Sequence, residues 1–107
     1  MNNTIVRHIL LCRFSPATTE EQLHTLFTTF GALADKIEGI VSFEFGANNS
    51  PEGLNHGMTH VIMVTFVNAQ ARDAYLPHPE HRKFAEWFTH MGILDELLVI
   101  DYTPQND

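Results

Sequence analysis

Thr59-His60-Val61-Ile62-Met63-Val64-Thr65-Phe66-Val67 decides the fold. Its β-branched and aromatic residues mark a strand. Alternate positions give two faces, His60, Ile62, Val64 and Phe66 against Val61, Met63, Thr65 and Val67, and both are apolar. An antiparallel strand with one wet face alternates apolar and polar residues instead. Residues 5–14 repeat this character, with Val6, His8, Leu10, Cys12 and Phe14 against Ile5, Arg7, Ile9, Leu11 and Arg13. Residues 94–102 form a further apolar run. Residues 40–46 form a strand with Val41, Phe43 and Phe45 on one face and Ser42 and Glu44 on the other.

The segments between these strands read as helices. Ser15-Pro16-Ala17 breaks the first strand, and Thr18-x-x-Glu21 reads as a capping box. Leu23, Leu26, Phe27, Phe30, Leu33 and Ile37 keep helical spacing up to a stop at Gly39. Residues 47–58 are a polar loop, long enough to be an ordered flap rather than a tight hairpin. Asn68 caps a short helix over 69–75, Pro77 interrupts it, and another helix runs from Pro79 to about Met91. Phe84, Trp87, Phe88 and Met91 form its buried stripe.

The order βαββαβ predicts an α+β, ferredoxin-like protomer, with helices covering one face of a four-stranded antiparallel sheet. The other face is bare and apolar, more than a monomer usually exposes. A second copy packed sheet to sheet removes the mismatch. The expected homodimer buries Ile9, Leu11, Val61, Met63 and part of the last strand. The whole chain, 1–107, is read as one domain with an ordered core over about 5–102 and a tail over 103–107.

A net charge of −7 with only six Lys and Arg argues against nucleic acid, because phosphate contacts need clustered cations. No apolar segment approaches the roughly 20 residues that cross a bilayer, and the first residues lack the layout of a signal peptide. The single Cys12 rules out an internal disulfide and a multi-cysteine zinc site. The expected location is cytoplasmic, with no membrane partner and no cofactor.

Chemistry concentrates in Tyr75-Leu76-Pro77-His78-Pro79-Glu80-His81. Pro79 suits the first position of a helix, which puts His81 in the first turn, on the face of Phe84 and Phe88. A histidine between an apolar face and the positive end of a helix is held neutral, ready to accept a proton. His8 and His60 lie in apolar runs, on the face assigned to the helices. Tyr75, His81, His8 and His60 are therefore the candidate catalytic groups at one end of an apolar cavity walled by Leu10, Phe27, Ile62, Phe84 and Phe88. Each has a bland alternative: a backbone-bonded imidazole at His81, a packed phenol at Tyr75, a mutually bonded core pair at His8 and His60. His78 reads as a turn or capping residue. His78-x-x-His81 offers only two metal ligands, so no metal site is assigned. Cys12 reads as a small buried hydrophobe, and His24, His56 and His90 as exposed.

Five segments in order, Val6-Arg7-His8-Ile9, Ser50-Pro51-Glu52-Gly53-Leu54-Asn55, residues 59–66, residues 75–81 and Ile100-Asp101-Tyr102, resemble the stress-responsive dimeric α/β barrel family over nearly the whole chain. The resemblance implies ferredoxin-like protomers whose sheets pair into a barrel. It also includes a plant polyketide cyclase that performs an intramolecular aldol condensation. By that resemblance His81 matches the base, Tyr75 the assisting phenol, and His8 and His60 further polar groups of the cavity. The wall positions it implies are Leu10, Cys12, Leu26, Phe27, Ile62 and Val64. Three readings stay open: a proton-abstracting enzyme of cyclase or lyase type acting on a small hydrophobic, carbonyl-containing ligand, a non-catalytic binding module, and a purely structural dimer.

Overall fold

The computed structural model describes residues 4–105. Its elements are β1 (Val6–Phe14), α1 (Glu20–Gly31) with a 3-10 turn (Ala32–Asp35), β2 (Ile40–Ala47), β3 (His60–Phe66), α2 (Ala69–Tyr75), α3 (Pro79–Met91) and β4 (Leu94–Tyr102). The strands form one antiparallel sheet in the order β2-β3-β1-β4, the ferredoxin-like α+β arrangement. Residues 103–105 follow β4 without regular structure, and the rest of the expected tail lies outside the described residues.

Local chemistry sets the helix ends, and it corrects two expectations. The capping box uses Thr19 and Gln22, one position beyond the expected pair: the Thr19 hydroxyl accepts from the Gln22 amide at 3.1 Å, and Gln22 Oε1 accepts from the Thr19 amide at 2.9 Å. Thr18 belongs to the preceding turn, its hydroxyl 2.9 Å from that of Ser15. The helical spacing through Ile37 is shared between α1 and the 3-10 turn, so α1 itself ends at Gly31. Gly39 is required where it stands. Its φ is +94°, and a Cβ there would sit 2.5 Å from that of Ala71.

Both faces of the sheet follow the strand parity. Val6, Leu10, Cys12, Phe14, Ile62, Val64 and Phe66 pack under Leu26, Phe27, Phe30, Phe84 and Phe88 of the helices. A register shift between Ile40 and Ser42 takes Val41 out of the alternation, which leaves it exposed rather than beside Phe43. On the opposite face, Ile9 pairs with Met63 and Ile100, and Leu11 with Val61 and Leu98. The result is a continuous apolar surface without a cover in the protomer, Ile100 being 57% and Leu98 47% exposed. Edge strand β4 also shows Leu97 and Val99, 40% and 49% exposed, on the helix side.

Candidate functional site

Three elements meet where α2 turns into α3. Asn68 caps α2 by accepting from the Ala71 amide at 2.8 Å, and Tyr75 closes the helix. His78 caps α3, its Nδ1 accepting from the Glu80 amide at 3.1 Å, and Pro79 stands in the first turn. This turn folds the two helices so that the rings of Tyr75 and His81 lie 4.2 Å apart. His8 of β1 completes the group, its ring 5.9 Å from that of Tyr75.

These three side chains line a cavity of about 320 Å³, walled by Leu10, Phe30, Phe84, Phe88, Leu97 and Val99 among others. Of the expected wall residues, Leu10, Phe84 and Phe88 line this cavity. Cys12, Leu26, Ile62 and Val64 do not reach the cavity; they are fully buried core. Their side chains are packed within the core cluster between the sheet and the helices. Phe27 lines a separate cleft between α1 and β2. His60 is also elsewhere. It pairs with Cys12, while His8 pairs with Val64, so the two residues stand four strand positions apart, about 13 Å along the sheet. His60 faces the Phe27 cleft, its Nδ1 2.9 Å from the Thr59 hydroxyl, so neither the four-group cluster nor a bonded His8–His60 pair forms.

Two further neighbours of this group escape a sequence reading. Asp101 is the cross-strand partner of His8, and its Oδ1 lies 2.7 Å from His8 Nδ1. Arg72 donates from Nη1 to Asp101 Oδ2, also at 2.7 Å. The available signals were parity, which puts Asp101 on the helix side of β4, and the spacing of three between Arg72 and Tyr75 on α2.

The protonation states suit acid–base chemistry. His81 is held below the usual histidine value, chiefly by burial and further by the proximity of His8 and His78, against a raising effect of its bond to Leu76. That bond, 3.0 Å from Nδ1 to the Leu76 carbonyl, needs the proton on Nδ1 and leaves Nε2 as the basic nitrogen. Burial pushes the Tyr75 phenol well up, so it remains a donor. Its hydroxyl is the one buried side-chain polar atom without a hydrogen-bond partner among the described residues. Burial also pushes the Cys12 thiol up to about 11, which keeps it an unreactive core group.

A ferredoxin-like sheet with helices on one side and a cavity lined by Tyr75, His81 and His8 between them defines a small α/β-barrel-type protomer. The chain matches the Stress responsive A/B Barrel Domain over residues 6–104 and belongs to that family. It is 37% identical over 99 residues to the stress-response A/B barrel domain-containing protein HS1 of Arabidopsis thaliana, covering 92% of this chain and 89% of that protein. Olivetolic acid cyclase of Cannabis sativa is 28% identical over 100 residues, covering 94% and 97%. Among solved structures, Arabidopsis thaliana At3g17210 superposes with a TM-score of 0.88 at 36% identity, covering 95% of this chain and 97% of that one. The fold also matches a hydroxynitrile lyase from Passiflora edulis (TM-score 0.87, 21% identity, 99% and 98% covered). A dimeric ferredoxin-like protein of unknown function from Thermobifida fusca matches it too (0.75, 20%, 97% and 94%). Among the described residues, no helix is long and apolar enough to cross a membrane.

Proposed function

We propose that this protein is a cytoplasmic homodimer, paired through the open sheet face, in which each protomer binds a small hydrophobic carbonyl compound and removes a proton next to the carbonyl. One observation carries the catalytic part: a buried phenol without a hydrogen-bond partner lies 4.2 Å, ring to ring, from an imidazole held neutral, in an apolar cavity. Burying a hydroxyl unpaired is unfavourable, and a ligand oxygen that accepts from it removes the penalty. In the reaction, His81 Nε2 takes the proton from carbon, and the electron pair of the broken C–H bond moves onto the carbonyl oxygen. The Tyr75 hydroxyl donates to that oxygen as its charge develops, a geometry in which one donor contributes substantially to rate. The likeness to olivetolic acid cyclase at 28% identity supports an enzymatic, cyclase-like reading. The dimeric neighbour and the uncovered apolar surface of β1, β3 and β4 support the pairing.

The test uses 2-nonanone in D₂O, with NMR following the loss of protons beside the carbonyl. The protein should accelerate the exchange, and His81→Gln should abolish it while the ketone still binds. Exchange that survives His81→Gln would sink the assignment of the base. Binding without any exchange by the unaltered protein would leave a carrier in place of an enzyme.

A further inference from the structure

We propose that Arg72 is a positioning residue that, through Asp101, sets His8 as a hydrogen-bond acceptor in the cavity, and that the natural ligand therefore carries a hydroxyl group near its carbonyl. The inference rests on the reading of Tyr75 and His81 given above and adds the substrate class.

Three side chains from three elements form an unbroken line. Arg72 on α2 donates to Asp101 Oδ2 at 2.7 Å, and Asp101 on β4 meets His8 Nδ1 through Oδ1 at the same distance. Arg72 is held from a second side, its Nε donating to Asp73 at 2.7 Å, and both carboxylate bonds favour its charged form. A carboxylate engaged by a fixed guanidinium is an acceptor only. Against such an acceptor the neutral imidazole must place its proton on Nδ1. Nε2, which has no partner among the described residues, is then the acceptor nitrogen of His8, and His8 lines the cavity. The same helix supplies Arg72 and Tyr75, so the clamp and the phenol are fixed relative to one another.

The polar inventory of the cavity follows, with the Thr89 hydroxyl of the lining already donating to the Ala85 carbonyl at 2.9 Å. Tyr75 offers a donor for a carbonyl oxygen, and His81 Nε2 receives the abstracted proton. His8 Nε2 remains as an acceptor that a plain ketone leaves unused, and the lining contains no lysine or arginine to attract an anion. A neutral hydroxyketone satisfies both oxygen sites. One additional uncharged hydrogen bond in apolar surroundings corresponds to about tenfold in affinity.

The experiment compares 3-hydroxy-2-nonanone with 2-nonanone by NMR titration of the unaltered protein, Arg72→Met and Arg72→Lys. The unaltered protein should prefer the hydroxyketone about tenfold. The preference should fall to about threefold or less in Arg72→Met and return in part in Arg72→Lys. The ratio of affinities is the readout, because a general loosening of the cavity weakens both ligands together. Equal affinities in the unaltered protein, or a full preference in Arg72→Met, would overturn the proposal. A second measurement needs no variant: ¹⁵N NMR of the His8 ring in the ligand-free protein should find the proton on Nδ1, and a proton on Nε2 would overturn the clamp. Ketone exchange and its dependence on His81 are read separately, so failure of the base and failure of the Arg72 clamp give different results.

Discussion

Replacing Tyr75 by Phe should stabilise the ligand-free protein while removing its chemistry. Tyr75 is 0% exposed, and its ring keeps company with Phe66 at 4.9 Å and His81 at 4.2 Å. Those ring contacts survive the substitution. Only the hydroxyl is lost, and it has no hydrogen-bond partner. A buried polar group left unpaired costs about 1–3 kcal/mol. Part of that gain is offset by the small space that the missing oxygen leaves, so the expected net stabilisation is about 1–2 kcal/mol. For a chain of 107 residues this corresponds to a rise in thermal midpoint of roughly 4–9 °C. Urea and thermal unfolding, followed by far-ultraviolet circular dichroism at matched protein concentration, measure it; the matching matters because dimer stability depends on concentration. Ketone exchange should fall at the same time, by about 100-fold if the phenol stabilises the developing oxyanion. Opposite changes in stability and activity mark a group kept for function. A Phe variant less stable by about 1 kcal/mol or more would refute the reasoning, since the hydroxyl would then be holding the fold together.

Further outcomes are expected elsewhere. The lowered pKa of His81 means that the unfolded chain binds more protons below its own value of 6.5, so this residue subtracts stability as pH falls from there toward the folded value. His81→Gln should flatten the fall in stability between about pH 6.5 and 5, and an unchanged pH profile in urea titrations would count against it. Gly39→Ala meets both a φ of +94° and an approach of 2.5 Å to the Ala71 Cβ; a loss of about 2 kcal/mol or more is expected, and a neutral result would mean the backbone there relaxes freely. Ile9→Asp with Met63→Lys, on the open sheet face, should give a folded monomer by sedimentation velocity. A dimer that persists would place the interface elsewhere.

Strand parity carried much of the fold, because burial on a sheet repeats every two residues and His8, Leu10, Ile62 and Val64 obey it without exception. Parity does not supply register. His60 lies on the expected face, yet its pairing with Cys12 removes it from the cavity, and only the offset between two distant strands determines that. The capping box shifted by one because Thr18 and Thr19, like Glu21 and Gln22, fit the same pattern; the choice falls to the turn that Thr18 makes with Ser15. The pair Tyr75 and His81 was legible because both lie in one local segment punctuated by two prolines. Asp101 joins His8 across 93 residues and Arg72 joins Asp101 across 29, and no local signal encodes such a meeting.

Edge strand β4 gives the cavity a divided inheritance. Its polar side chains are anchored in central β1, the buried end of α2 and the first turn of α3, whereas Leu97 and Val99 are half-exposed residues on an outer strand. Truncating them removes only part of a buried side chain's usual contribution, so this wall tolerates change that the core under α1 does not. A lineage built on this protomer is therefore free to alter the size of the cavity at β4 while leaving Tyr75, His81 and His8 untouched.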